Sequence, residues 1–203
     1  MIFSQYLSKY VFHLMPIFGV SAEETYEQKG EMFETNVVDY PTVFEDYPTT
    51  KLKHNYSFLS KSKIWEVNNL FDLCYGRMGA LWVPSWKRDF KLSSNITANQ
   101  SIITIDDVQY PVYFPVVPGT GRHLFIYDLV TNQGYTRKVD SVASGNILTL
   151  NSAIPIALQA ERSIISILYL CRFDIDELEW SYYGPEGNAE ITIDFIELPK
   201  EYA

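Results

Sequence analysis

The sequence predicts a mainly β protein with a single well-formed helix, in which one domain is interrupted by a smaller module of short strands. Three observations lead there. Aromatic residues make up 15% of the 203-residue chain, including 15 Tyr and 12 Phe, and flat rings pack well on a pleated surface. Apolar and polar residues alternate in several segments, as half-buried strands require. The texture changes to short strands with frequent turns after Asp89, and reverts after Leu168.

Tyr6 to Phe18 is aromatic and aliphatic without helix caps, and reads as one or two strands. Glu23 to Glu34 is charged, with a turn near Lys29-Gly30. Thr35–Tyr40 and Thr42–Phe44 read as strands that Pro41 confines to an edge or a strand start. Asp46-Tyr47-Pro48 signals a loop, and Leu52–Leu59 alternates as a half-buried strand. The helix is expected over Lys63–Tyr75. Ser60 or Ser62 serves as N-cap, Ile64, Val67, Leu70, Phe71 and Cys74 form one apolar stripe, and Gly76 and Gly79 end it. Ala80–Pro84 reads as a buried strand.

Within the interrupting module, Ser101–Ile105 is a strand closed by a turn at Asp106-Asp107. Pro111 and Pro115–Gly121 read as loop, and His123–Asp128 as a strand. Thr131–Gly134 fits a hairpin turn in which Gly takes positive φ. Tyr135–Val142, a turn at Ser144–Asn146, Ile147–Leu150 and Ser163–Ile167 complete the set, which suggests a small barrel or sandwich. Phe173, Ile175, Leu178 and Trp180 then read as one irregular strand and Tyr183–Gly187 as a turn. On the last strand Ile191, Ile193 and Phe195 face one way, and Thr192, Asp194 and Ile196 the other. The expected organisation is therefore 1–88 and 169–203 as one domain, with 89–168 inserted.

Apolar residues make up 47% of the chain, enough to bury a core and to argue against wholesale disorder. The formal net charge is −9 and the pI about 4.8. Such a chain repels phosphate, which argues against a general nucleic-acid binder and against attraction to an anionic membrane. Cys74 and Cys171 lie in apolar runs and read as buried free thiols suited to a reducing compartment, although a bond between them stays open. No stretch has the length and apolarity of a membrane span. The N-terminal twenty residues lack the basic start and cleavage site of a signal peptide.

Ser101–Asp106, Leu124–Asp128 and Val139–Leu150 follow the order of a small β module of tailed-phage structural proteins: a short strand closed by an acidic turn, a strand ending in an acidic residue, and a V-x-S-V-x-x-N-x-L-T-L-like hairpin. Phe58-Leu59 before the helix, Trp82–Trp86 after it, and the returning Arg172–Glu179 resemble the flanks of such an insert. The chain beyond about residue 50 is similar to the distal-tail (Dit-like) and minor tail proteins of long-tailed phages. That resemblance implies a β-sandwich with one α-helix, interrupted by an inserted small OB-like β-barrel. It implies a hexameric ring in the virion tail, assembled in the host cytoplasm. The ring would contact the tail tube protein, the tail hub or tip protein, and tape-measure or receptor-binding proteins.

Candidate sites are few. His13, His54 and His123 sit in separate strands, and no His-x-Glu, His-x-x-x-His or Cys-x-x-Cys spacing occurs, so no metal site is expected. No Gly-x-Ser-x-Gly elbow appears. Pro118-Gly119-Thr120-Gly121 lacks the Lys and helix of a phosphate loop. Asp174 and Asp176, two apart, would share one face of a strand, with Arg172 nearby to offset their charge. They are read as a solvated or interface face, against calcium binding or acid–base hydrolysis as sharper options. Trp82 and Trp86 are candidates for packing at the join to the insert or for anchoring an interface. Tyr110, Tyr113, Phe114 and Tyr127 are candidate stacking platforms if the insert recognises a carbohydrate or receptor. The expectation is a structural virion protein with no catalytic residues and no cofactor.

Overall fold

A computed structural model describes residues 3–17, 23–27, 30–33, 40–43, 49–58, 60–114, 122–143, 145–183 and 188–198; for 30–33 and 40–43 only the backbone is described. The expectations for Phe18, Lys29, Glu34–Asp39, Phe44, Asp46–Pro48, Leu59, Pro115–Gly121, Ser144 and Gly184–Gly187 lie outside the described residues. The chain is mainly β, as the aromatic and alternating segments require.

The elements run β1 (Gln5–Tyr6), β2 (Lys9–Val11), β3 (Glu23–Glu27), β4 (Gly30–Phe33), β5 (Tyr40–Val43), β6 (Thr49–Phe58), α1 (Lys61–Leu73), β7 (Leu81–Pro84), β8 (Gln100–Thr104) and α2 (Tyr110–Tyr113). They continue with β9 (His123–Asp128), β10 (Gln133–Ala143), β11 (Ile147–Ile154), β12 (Ser163–Phe173), β13 (Ser181–Tyr183) and β14 (Asn188–Glu197). β4 and β5 pair with each other in a two-stranded sheet, and the other strands join one twelve-stranded sheet. Apart from the parallel contact of β2 with β7, the described pairings are antiparallel.

β12 organises the whole. Its first half, Ser163–Ile167, pairs with β9; Leu168–Cys171 pairs with β7; and Cys171–Phe173 pairs with β14. Alternate residues of a strand bond to opposite edges, which fixes who lies where. The carbonyls of Arg162 and Leu170 accept from Leu129 and Leu198, so β9 and β14 follow one another along one edge. The carbonyls of Ile165 and Ile167 accept from Phe90 and Ser85, so β7 and its continuation occupy the other edge. β9 leads on to β10, β11 and β8, whereas β14 leads to β6 and β3. The expected boundary at residue 168 thus falls inside one unbroken strand, where its neighbour on that edge changes.

Residues from both sides of this point share one core. Phe12, Leu52, Tyr56 and Phe195 belong to the same buried cluster as Leu92, Ile103, Leu148 and Ile154. The other face of β7, β12 and β9 carries a second cluster of Val11, Trp82, Trp86, Phe125, Leu168 and Leu170, against which Tyr6 and Tyr127 pack. With apolar layers on both faces, β12 reads as a continuous buried run rather than an alternating one. β6, with one covered face, alternates instead: Leu52, His54, Tyr56 and Phe58 point inward.

Several local expectations need correction. The helix begins and ends two residues early. Ser60 has the extended backbone of an N-cap, but its side chain makes no capping bond. The left-handed residue after α1 is Tyr75 (φ 52, ψ 45), followed by Gly76 at φ +60 and a 3-10 turn over Gly76–Met78. Pro111 lies inside the one-turn helix α2, near its N-terminus, where its missing N–H costs no bond. In the β9–β10 turn the positive φ belongs to Asn132, not to Gly134. Gly134 lies within β10 because a Cβ there would collide with the ring of Phe125. β12 ends at Phe173. Ile175, Leu178 and Trp180 pack partly buried against the core but form no strand. No helix among the described residues is long and apolar enough to cross a membrane.

Candidate functional site

The segment that follows β7 is built around Asp89. Past Pro84 the chain pairs with β12 at Ser85 and again at Phe90, and the four residues between them bulge away. Trp86 bends it with a left-handed backbone (φ 56). The bulge leaves the Ile167 N–H without a strand partner, and the Asp89 carboxylate accepts it at 2.7 Å. Ser85 donates its hydroxyl to the same carboxylate oxygen, and Ser166 donates to the Lys87 carbonyl at 2.7 Å. Burial pushes the Asp89 carboxyl above its usual range, against the lowering effect of the Ser85 hydroxyl, the Ile167 N–H and Lys87.

Lys87 extends the network to β3 by pairing with Glu24, whose side chain is only 5% exposed. Tyr169 of β12 donates to Glu24 at 2.9 Å and Tyr26 at 2.5 Å. One carboxylate thus ties an outer strand, the bulge and the central strand together. In sequence, this stretch marked only the change of texture near Asp89. The sign that it is more is a run of polar and charged residues directly after a wholly buried strand.

Trp82 and Trp86 lie in the second core cluster, 2% and 4% exposed. That corrects the interface-anchor option: rings so deeply covered offer no surface, and both serve as packing at the join. The Trp82 indole donates to the Tyr6 carbonyl at 2.9 Å, and Trp86 packs edge-on against Phe125 and Tyr127. The stacking candidates of the insert are also split up. Tyr110 is 1% exposed and packs with Phe90 and Phe114. Phe114 is half-buried in the same group. Tyr127 leans on Phe125 and Trp86. Only Tyr113 of the four is open, with its hydroxyl held by Gln109 at 2.9 Å.

Asp174 and Asp176 follow the end of β12, so they do not share a strand face. Their partner is Arg77, not Arg172: its guanidinium reaches Asp174 at 3.1 Å and Asp176 at 3.2 Å. Arg172 sits within β12 with its Nε buried and unbonded. Arg77 was missed because the pairing joins residues 97 and 99 positions apart. Cys74 and Cys171 are free and buried, which resolves the open alternative of a bond between them. Burial raises the Cys74 thiol to about 11. Among the described residues no three His, Cys, Asp or Glu side chains are grouped to hold a metal ion.

Large apolar side chains are exposed on α1 and in the turn after it, as they also are at Val108, Val112 and Tyr113. Ile64, Val67, Leu70 and Cys74 turn inward. Trp65 is 73% exposed and Leu73 38%, and the following turn adds Tyr75 at 80% and Met78 at 87%. A left-handed non-glycine backbone costs about 1–3 kcal/mol unless its surroundings compensate, and an exposed ring recovers little of that by burial. No protein-family model matches the chain, and no curated protein matches it.

Proposed function

We propose that this chain is a non-enzymatic structural subunit of a phage tail tip or baseplate, of distal-tail type. It works by associating with copies of itself into a ring that joins the tail tube to the hub or the host-recognition apparatus. The order of sequence features from Phe58 to Trp86 and from Ser101 to Leu150 supports the tail setting, and the hexamer follows from that resemblance.

The observation that carries the assembly reading is the outer face of α1. Trp65 on α1 and Tyr75 and Met78 in the turn after it are each open, and Tyr75 holds a strained backbone that glycine would adopt freely. Large apolar side chains gathered on one exposed surface mark interaction sites. In a ring, this face would meet a neighbouring subunit. The net charge of −9 suits a conduit past which a genome moves without sticking.

The test is electron microscopy of the purified chain and of virions carrying a tagged copy. Closed rings, and a tag at the tail tip, are the expected result. Discrete monomers together with a tag absent from the tail would remove the proposal.

A further inference from the structure

The N-terminal hairpin joins the sheet through short strands and is anchored at its end by the buried Val11. β1 and β2 are two and three residues long. The turn between them sets Leu7 at φ 46 and Ser8 at φ 63, conformations that Asn and Gly normally supply in two-residue hairpin loops. β2 meets β7 at only two positions, Tyr10–Leu81 and Val11–Trp82. Val11, buried in the second cluster, and the bond from the Phe12 N–H to the Trp82 carbonyl anchor its end, and a triangle of rings holds the rest. The Trp82 indole bonds the Tyr6 carbonyl, and the Tyr6 hydroxyl lies 3.0 Å from His123 Nδ1. Ring centres are 5.4 Å apart for Tyr6–Trp82, 5.7 Å for Tyr6–His123 and 4.6 Å for Trp82–His123. His123, at the start of β9 and 1% exposed, thereby ties the hairpin to the insert.

Two cations, Arg122 and Lys138, act on His123 electrostatically. Arg122 precedes it, and Lys138 is its cross-strand partner on β10. Tyr6 from β1 and Trp82 from β7 are neutral. Arg137 and Asp140, of opposite sign, act on Tyr6 from the β10 side. Burial, then Lys138 and Arg122, push the imidazole down to about 4. A buried imidazolium is costly unless water reaches it, and Tyr6 packs edge-on against this ring from the hairpin side.

We propose that the hairpin Gln5–Val11 is a latch that protonation of His123 releases, uncovering the apolar sheet face of Trp82, Trp86, Phe125, Leu168 and Leu170. The latch is independent of whether the chain builds a ring. His13, at the other flank of the hairpin, must be separated from it. Its ring packs edge-on to Phe3 at 5.5 Å, and Lys63 and Glu66 act on it electrostatically.

Amide hydrogen exchange on the full chain, corrected for intrinsic rates and run from about pH 7.5 to about pH 4, tests the latch. Protection of residues 5–11 should fall about tenfold or more, the effect of one unit of differential proton affinity, while Ile191–Phe195 of β14 keep theirs. H123N should abolish that pH dependence and H13N should leave it intact. Y6F should loosen the hairpin already at neutral pH. If H123N does not fold, the ring resonances of His123 in the native chain decide: they should titrate together with the loss of hairpin protection. Hairpin protection that is constant with pH, or lost only together with β14, would overturn the latch. So would an H123N profile like that of the native chain, a His123 ring titrating apart from the hairpin, or a Y6F hairpin as protected as the native one.

Discussion

The carboxylate of Asp89 accepts the backbone N–H of Ile167 at 2.7 Å, replacing a strand partner where the chain bulges away from β12. This places a side chain in the ladder at the point where the insert departs, beside the position at which β12 exchanges β9 for β14. The exchange of neighbours along β12 is therefore flanked by a buried polar contact as well as by apolar packing.

Removing that acceptor should be costly. In D89A the Ile167 amide and the Ser85 hydroxyl lose a buried partner, for an expected loss of about 1–3 kcal/mol. Urea unfolding measures it. D89N, which keeps an acceptor oxygen, should lose less. Equal losses in both would mean that charge, not the bond to Ile167, is what matters.

Gly134 and Phe125 should behave as a coupled pair. A methyl group at Gly134 meets the Phe125 ring, and overpacking of this kind costs about 1–3 kcal/mol. G134A should therefore lower the melting temperature of the native chain and be nearly neutral in an F125A background. A double-mutant cycle reads the difference directly.

Acid should weaken the fold through His54. It is 1% exposed on β6, 3.0 Å from the Tyr56 hydroxyl, and burial lowers it from 6.5 to about 4. The unfolded chain therefore takes up the proton first. Stability from this group is complete above about pH 6.5 and is lost as the pH falls towards 4, by up to about 3 kcal/mol. Unfolding free energies at a series of pH values should show the decline, and H54N should lack this share of it.

Tyr75 should show opposite signs in stability and association. Y75G relieves a left-handed tyrosine and should stabilise the monomer by about 1 kcal/mol, measured by chemical denaturation. The same change should weaken self-association, because it deletes a ring that is 80% exposed.

The parts of the fold legible in the sequence are those fixed by local pattern. The stripe Ile64–Val67–Leu70 gives α1, and the alternation of Leu52, His54, Tyr56 and Phe58 gives β6. Tertiary contacts decided where reading failed. Gly134 answers to Phe125 rather than to a turn, and Ile175–Trp180 leaves the strand while Asp174 and Asp176 bond Arg77. For Trp82 and Trp86 packing at the join and anchoring an interface both stood open, because sequence does not reveal that the sheet they lie on is covered on both faces. The open residues of α1 were legible only as positions outside its apolar stripe. Their exposure became apparent once the inner face was seen to be filled.

Native mass spectrometry of the purified chain beside a W65E/Y75G/M78E variant tests the central claim most directly, with circular dichroism confirming that both are folded. The account predicts a discrete closed oligomer for the native chain and a monomer for the variant. A native chain that stays monomeric at high concentration, or a variant that assembles as well as the native chain, would contradict it.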